Sequence, residues 1–327
     1  MTAHDSVPIL GVPIHHVTFE QSLERVVEMV DSGRSSGVAH QIATVNTDFL
    51  VNATGDPALH RILQNADLCC ADGMPVVWAS RVLGLRLPER VAGADFVPAM
   101  CAQAAGEGHR VMFFGGAAET AAEAAALMRT AHPTLEIGSA TGIVDPDGAT
   151  AASDVGQIRN FAPDILCVGL GNPKQERFID RHAATLGVPV SIGVGATFEF
   201  MAGDVPRAPV IMQQAGFEWL YRMARDPRRL VRRYSRDLAV FAPAVFRQWW
   251  RTRRSNRPAG SISSRDGVID LSGLERLDRC ALTTLSSLTT MGRRTGNHVG
   301  YAGISEPLHE QLVNLRLDSL VSSTHFP

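Results

Sequence analysis

Polar side chains stand at the points where two strand-like runs of this sequence end. Asp72 and Gly73 follow the apolar run Leu68–Ala71, and Thr44 and Asn46 close an earlier run. Burial at the end of an apolar strand raises the pKa of a carboxyl group, which suits a general base that works near neutral pH. The hydroxyl and amide groups suit contacts with sugar hydroxyls. The alternative is structural, because all three polar side chains are also of types that cap turns and helices.

A second cluster follows the run Ile165–Leu170, where Gly171 opens a turn that leads into Pro173, Lys174 and Gln175. The N-terminus of a helix presents backbone amides to anions, so Lys174 and Gln175 are candidates to face a nucleotide diphosphate. Lys174 is also the only lysine among the 31 basic residues of the chain.

No Asp-x-Asp pair follows these strand ends to bind a metal-nucleotide, so we expect no metal and no cofactor, and positive charge must come from side chains. Arg90 and Arg207 are the candidates, with surface ion pairs as the alternative. Gly115 ends a further strand-like run and is a candidate for close approach of a substrate. The Gly-x-Gly stretches at 169 and 193 lack the third glycine of a dinucleotide fingerprint, which disfavours a dehydrogenase.

Strand-like and helix-like runs alternate along the first two thirds of the chain. This pattern predicts an α/β fold, Rossmann-like, with a mainly parallel sheet and helices on both faces. Thr18 and Gln21 have the spacing of a capping box, and Asp56 and Pro57 predict the start of another helix. In such sheets ligands bind beyond the carboxyl ends of the strands, where the polar residues above are expected to meet.

The composition excludes several classes of protein. With 45% hydrophobic and 20% charged residues in 327, the chain is neither disordered nor a disulfide-stapled small domain. Its five cysteines form no CxxC pair, which indicates a reducing compartment. The first residues lack the pattern of a secretion signal, and no apolar run reaches about 18 residues. We therefore expect a cytoplasmic protein.

Positive charge is concentrated in one segment. Residues 220–257 contain twelve arginines and two aspartates, a net charge of +10, whereas the whole chain carries −2. We predict helices over residues 213–254, with breaks at Pro227 and Pro243. Aromatic residues interleaved with arginines are typical of a helix on an anionic bilayer. A solvated basic surface packed on the core and a nucleic-acid site are the alternatives, but no nucleic-acid motif accompanies the charge.

The motifs occur in an order that resembles the WecG/TagA/CpsF glycosyltransferase family over residues 9–235. They are Thr44-x-Asn46, Asp72-Gly73, Arg90-x-x-Gly93-x-Asp95, Gly171-x-Pro173-Lys174-Gln175-Glu176, Arg207-Ala208-Pro209, Glu218-Trp219-Leu220-Tyr221-Arg222 and Asp226-Pro227-Arg228-Arg229.

The resemblance implies an inverting enzyme that moves a sugar, often N-acetylmannosamine, from a UDP donor to a polyprenyl-diphosphate-linked sugar, without a metal. It implies that Asp72 is the catalytic base and that Asp95 belongs to the substrate site. It also implies that the basic segment docks on the inner face of the cell membrane and brings Arg222 towards the active site.

The end of the chain resembles a STAS domain, the fold of anti-sigma-factor antagonists, from the strand-like run at Val268 to the run Val299–Ala302. Asp278 and Cys280 stand in the stretch where that fold usually has its phosphorylated serine, so a phosphorylation switch is not expected. We predict a glycosyltransferase domain at 1–208, a basic appendage at 209–254, a linker at 255–261 and a partial STAS-like module at 262–327.

A second function stays open at this stage. The chain would then be a regulatory or scaffold protein that senses a nucleotide-sugar and binds a protein partner through the STAS-like module. Intact Thr44, Asn46, Asp72, Lys174 and Gln175 favour the enzyme. A homo-oligomer is plausible for a fold with open sheet edges, and a nucleic-acid partner is not expected.

Overall fold

The structure is a computed structural model. It describes residues 6–116, 118–204, 208–209, 212, 218–253, 262–265, 268–272, 274, 277, 281–282, 284–285, 288, 300–315 and 317. The predicted linker 255–261 and the candidate Arg207 lie outside the described residues.

A parallel sheet forms the centre of the chain up to residue 204. The strands along this part are β1 (Ser6–Ile9), β2 (Val12–His15), β3 (His40–Val45), β4 (Leu68–Ala71), β5 (Val111–Gly115), β6 (Ile137–Ala140), β7 (Ile165–Gly169) and β8 (Val190–Gly193). The first two form an antiparallel hairpin, and the other six form one sheet in the spatial order β4-β3-β8-β7-β5-β6, all parallel. The α/β prediction is confirmed.

Helices cover both faces of the sheet, as predicted. They are α1 (Phe19–Ser36), α2 (Thr47–Gly55), α3 (Pro57–Asn65), α4 (Met74–Val82), α5 (Gly93–Glu107), α6 (Ala118–Ala131), α7 (Ala152–Phe161), α8 (Lys174–Leu186) and α9 (Thr197–Ala202). One face buries α1, α5, α6 and α9, and the other buries α2, α3, α4, α7, α8 and the hairpin. The capping box at Thr18 and the cap at Asp56 are confirmed.

The outer edge of β4 is covered rather than open. The backbone N–H of Cys69 donates to Nδ1 of His15 (2.8 Å), and the N–H of Val91 donates to the carbonyl of Ala71 (2.9 Å). Unpaired edge groups invite other strands, and these contacts remove that possibility along most of β4. They also fix the segment around residue 90 beside Asp72.

The basic appendage consists of helices α10 (Glu218–Arg225) and α11 (Pro227–Arg253). The predicted break at Pro227 is confirmed, whereas the break at Pro243 is wrong, because α11 continues through it. A proline in a helix costs about 3 kcal/mol. Burial of Phe241 and Val245 against the sheet domain and the hydrogen bonds of Gln248 to the hairpin hold both sides of Pro243 in one helix.

None of the helices in the described ranges combines the length and the apolar character needed to span a bilayer.

A small α/β unit follows, with β9 (Ser263–Arg265), β10 (Val268–Asp270), β11 (Gly300–Ala302) and α12 (Glu306–Asn314). β10 pairs parallel with β11 and antiparallel with β9. The strand β9 was not predicted, because three residues give too short a pattern. Arg251 of α11 donates to the carbonyl of Asn314 (2.9 Å) and so joins the appendage to this unit. Asp278 and Cys280 lie outside the described residues, and the STAS-like interpretation stays a prediction.

Candidate active site

The carboxyl ends of β4, β3, β8 and β7 lie side by side because these strands are neighbours in one parallel sheet. They carry Asp72, Asn46, Gly195 and Gly171 respectively, each just after its strand. Residues separated by more than 100 positions along the chain therefore meet at one edge of the sheet. This edge, together with the residues of α10 that contact it, is called the strand-end site below.

Asp72 is anchored at this edge through backbone groups. Its N–H donates to the carbonyl of Val45 (2.9 Å), and its carboxylate accepts a hydrogen bond from the N–H of Gly93, the first residue of α5. The capping alternative is wrong, because α4 begins after Gly73 without a side-chain cap. Gly73 has φ +132°, a conformation that other residues rarely adopt. The carboxylate therefore does not cap the helix that follows it, and it contacts the N-terminus of α5 at the site instead.

The charge state of Asp72 is set by opposing influences. Burial raises the pKa of its carboxyl group to about 6, the nearby Arg90 and Arg222 act to lower it, and Glu218 acts to raise it further. A carboxyl group with this pKa is mostly ionised at pH 7 and yet basic enough to receive a proton, which is the requirement for a general base.

Arg90 ties the sheet domain to the appendage. Its Nη1 donates to Oε2 of Glu218 (2.9 Å), and its Nη2 lies 3.5 Å from Oδ2 of Asp95. Arg90 and Glu218 are only 17% and 13% exposed, so this ion pair is largely shielded from water. The alternative prediction for Arg90, an ion pair, is thus what the structure shows for this side chain.

Arg222 reaches the same place from α10. Its guanidinium lies 4.8 Å from the ring centroid of Phe200 in α9, a cation–π contact that fixes its position. Its charge acts on Asp72, as noted above. The structure therefore brings Asp72, Arg90, Asp95 and Arg222 together.

Thr44 and Asn46 have structural contacts in the described structure. Thr44 is 3% exposed, and its Oγ1 donates to the carbonyl of Gly193 (3.0 Å), which joins β3 to β8. Asn46 accepts the N–H of Phe49 (3.2 Å) and is the N-cap of α2. The expectation that the Thr44 hydroxyl contacts a sugar is corrected, because that hydroxyl is buried. Asn46 is partly exposed and stays at the rim of the site.

Gln175 is also placed differently from the prediction. It is fully buried, and its Oε1 accepts the N–H groups of Gly171 (3.1 Å) and Gly195 (2.9 Å), while its Nε2 donates to Glu176 (2.7 Å). This side-chain oxygen accepts hydrogen bonds from two turn amides that would otherwise lack a partner. Gln175 therefore holds the turns after β7 and β8 together instead of facing a diphosphate.

Glu176 was not among the predicted site residues. It is 1% exposed and accepts hydrogen bonds from Gln175 and from Nδ2 of Asn172 (2.9 Å), and burial raises the pKa of its carboxyl group to about 7. Asn172 in turn accepts from Nδ2 of Asn52 in α2 (2.9 Å). The sequence shows Glu176 only as an acidic residue in the first turn of a helix, which is a common surface pattern. Nothing in the sequence therefore indicated that Glu176 is buried.

The turn before α8 leaves Lys174 available. Lys174 is the first residue of α8, and no ion pair or hydrogen bond ties its ammonium group to the described part of the chain. Gly171 has φ +73°, and the space where a side chain would stand is open. Gly115 differs, because a side chain there would lie 2.7 Å from Leu170, so packing explains this glycine. Pro173 lies between Gly171 and Lys174 and faces a neighbouring cleft.

That cleft lies between α2 and α11, beside the strand-end site, and has a volume of about 380 Å³. It is called the α2–α11 cleft here, and its lining residues are Val51, Asn52, Thr54, Gly55, Asp56, Pro173, Arg236 and Val240. Within the described ranges, no group of three or more His, Cys, Asp or Glu residues is arranged to hold a metal ion.

Residues 7–255 match the Glycosyl transferase WecG/TagA/CpsF family. The chain belongs to this family of glycosyltransferases. Residues 256–327, including β9 to α12, lie outside the match.

Named relatives agree with this assignment. The chain is similar to an N-acetylglucosaminyldiphosphoundecaprenol N-acetyl-beta-D-mannosaminyltransferase of Bacillus spizizenii, with 31% identity over 62% of this chain and 82% of the relative. A protein of the same name from Staphylococcus aureus is 31% identical over 69% of this chain and 87% of its own length.

Replacement of Glu218 tests how the appendage acts on Asp72. Glu218→Gln removes a negative charge that raises the pKa of Asp72 and frees Arg90, so we expect that pKa to fall. The acid limb of the pH–rate profile for sugar transfer then moves to lower pH, because Asp72 ionises earlier. Carboxyl NMR of labelled Asp72 gives the same pKa without substrate.

Glu107→Gln in the exposed last turn of α5 is the matched control, since it removes the same charge far from the site. Equal Asp72 pKa values in both variants would contradict the electrostatic role of Glu218.

Proposed function

We propose that this enzyme is an inverting transferase that moves a sugar from a UDP-sugar to a polyprenyl-diphosphate-linked sugar. The observation that carries the proposal is Asp72, an ionisable carboxylate of raised pKa at the strand ends that is under the influence of two nearby arginines. The names of the relatives, which specify a lipid diphosphate carrying N-acetylglucosamine, support the class of acceptor.

The reaction is a single in-line displacement. Asp72 takes the proton of the acceptor hydroxyl while that oxygen attacks the anomeric carbon of the donor sugar. The bond from this carbon to the diphosphate oxygen breaks on the opposite side, and UDP leaves with the electron pair. The configuration at the anomeric carbon is therefore inverted.

The leaving diphosphate needs positive charge, and three side chains of the site supply it. Arg90 and Arg222 lie close to Asp72, and Lys174 stands at the N-terminus of α8, where backbone amides and the helix dipole favour anions. Binding of a diphosphate by Arg90 competes with its ion pair to Glu218. Preorganised charge of this kind stabilises the transition state in which charge develops on the leaving group.

The sugar that is moved is, on this proposal, N-acetylmannosamine or a related hexose, as in the names of the relatives. Such a reaction serves the synthesis of teichoic-acid-type or other surface polysaccharides. Discrimination between epimers depends on a few contacts in the site, and Asn46 at its rim is one group in reach of the donor or the acceptor.

The outer side of α11 supports attachment to the inner face of the cell membrane. Leu238, Phe246 and Trp250 are 66%, 58% and 45% exposed, although each is large and apolar. Arg232 and Arg247 are exposed on the same helix. Apolar rings among arginines bind both the acyl boundary and the anionic headgroups of a bilayer. The alternative of core packing accounts for the opposite side of α11, but not for these exposed rings.

Sugar transfer is the first test. Wild-type protein is given a panel of UDP-sugars and a short-chain polyprenyl-diphosphate-N-acetylglucosamine, and the product is measured by mass spectrometry. We expect a disaccharide lipid, and a loss of roughly 10²-fold or more in rate for Asp72→Asn, because the general base is removed.

Asp31→Asn on the exposed side of α1 is the control for Asp72→Asn and keeps the wild-type rate. Binding of UDP-sugars without transfer to any lipid acceptor would instead support a nucleotide-sugar sensor that acts through the C-terminal unit.

Lys174 allows a direct test of the diphosphate site, since it is the single lysine. Pyridoxal phosphate followed by borohydride should label Lys174, and UDP should suppress that labelling while uridine does not, because only UDP brings phosphates to the ammonium group. Peptide mapping separates Lys174 from the amino terminus, which serves as the internal control. Equal labelling with and without UDP would place the diphosphate elsewhere.

Attachment to membranes is tested with vesicles that contain anionic lipid. The double variant Phe246→Ser, Trp250→Ser should bind vesicles more weakly by on the order of tenfold or more, because the two exposed rings can no longer enter the membrane interface. The control is Leu127→Ser, Ile143→Ser, which removes two large apolar side chains exposed on the sheet domain. Equal sedimentation of the two double variants with vesicles would contradict the proposed membrane attachment.

A further inference from the structure

The α2–α11 cleft has no role in the site described so far. It is bounded by the second half of α2, by Pro173 and by two residues of α11, Arg236 and Val240. Its volume of about 380 Å³ is within the range of small-molecule sites. Apolar and polar groups alternate around it, which suits a ligand that is charged at one point and apolar at another.

The polar groups of the cleft favour an anion. Arg236 is exposed, and its Nη2 donates to Oδ1 of Asn52 (3.1 Å). Asp56 also lines the cleft, but its carboxylate forms an ion pair with Arg177, which neutralises it. Arg236 forms no ion pair within the described part of the chain, although its charge acts on the neighbouring Asp237. One N–H of Asn52 donates to Asn172, so the guanidinium of Arg236 and the second N–H of Asn52 remain for a bound phosphate.

Helix α2 leads from the neighbourhood of Asp72 to the cleft. Asn46 lies next to Gly73, since side-chain carbons at the two positions would be 4.0 Å apart. Asn52, which lines the cleft, follows Asn46 by six residues, less than two helical turns. A sugar at Asp72 that carries phosphates can therefore extend along α2 towards the cleft.

The cleft is also continuous with the outer side of α11. Arg232, which is exposed, lies one turn before Arg236 on the same side of α11. A lipid whose chain stays in the bilayer can reach the cleft along this flank. Val51 and Val240 offer apolar contact to the first carbons of that chain.

The geometry points to the α2–α11 cleft as the subsite for the diphosphate of the lipid-linked acceptor, with Arg236 and Asn52 as its ligands. This inference rests on the proposed function. It separates the two diphosphates of the reaction, because that of the donor lies at Lys174, Arg90 and Arg222. Asn52 also donates to Asn172, so the acceptor subsite is hydrogen-bonded to the turn that precedes Lys174.

The test compares Arg236→Ala and Asn52→Ala with Arg247→Ala. Arg247 is an exposed arginine of the same helix outside the cleft, so it matches the charge removed and any loss of membrane attraction. KM is measured for a water-soluble farnesyl-diphosphate-N-acetylglucosamine and for the UDP-sugar. We expect the acceptor KM to rise roughly tenfold in the cleft variants, with the donor KM unchanged. Arg236→Lys should recover part of the loss, because it keeps the charge.

A binding measurement keeps this inference separate from the proposed function. Calorimetry with farnesyl-diphosphate-N-acetylglucosamine alone and with UDP alone needs no turnover. Weaker binding of the first ligand only, in Arg236→Ala but not in Arg247→Ala, supports the cleft even if no transfer is found. A change in UDP binding or in donor KM, or equal effects of Arg236→Ala and Arg247→Ala, overturns the assignment while leaving sugar transfer by wild type intact.

Discussion

The ion pair between Arg90 and Glu218 is the contact on which the site depends. It joins the segment beside β4 to the first helix of the appendage, and both side chains are largely shielded from water. Loss of one partner of such a pair leaves a charge without compensation, at a cost of about 3–5 kcal/mol when it is buried. Because Arg222 is one turn beyond Glu218, this contact also sets the distance of Arg222 from Asp72. Asp72 and the arginines near it thus come from two different parts of the chain.

Two carboxyl groups of raised pKa lie near the strand ends, the partly exposed Asp72 and the buried Glu176, and their surroundings differ. Asp72, with a pKa of about 6, meets arginines and a helix N-terminus that stabilise its anion. Glu176, with a pKa of about 7, is enclosed by the amides of Gln175 and Asn172. Both folded-state pKa values lie above the ordinary ones of 3.8 and 4.5, so each group lowers stability as the pH rises through that window. Ionisation of either group in the folded chain therefore lowers the stability of the fold.

Local signals made much of this architecture predictable. The capping box at Thr18, the strand that ends at Asp72 and the mainly parallel character of the sheet all follow from short-range patterns and the alternation of elements. The burial of Gln175 and the partner of Arg90 do not, because each depends on contacts across 20 to 128 residues of chain. The break predicted at Pro243 was wrong because packing on both sides of this residue overrides its strong local preference against a helix interior. Tertiary contacts decide which polar residues touch a ligand and which hold the site together.

Charge and shape together give the proposed membrane attachment one orientation. Because the whole chain carries −2 and residues 220–257 carry +10, the rest of the chain carries −12. An anionic bilayer attracts the appendage and repels that remainder. One side of α11 is occupied by Phe241 and Val245 in the core, so only the side with Phe246 and Trp250 can meet the lipid. The flank between these two sides carries Arg236 and the α2–α11 cleft. On the proposed attachment the cleft lies at the edge of the membrane, where a lipid-linked acceptor would enter.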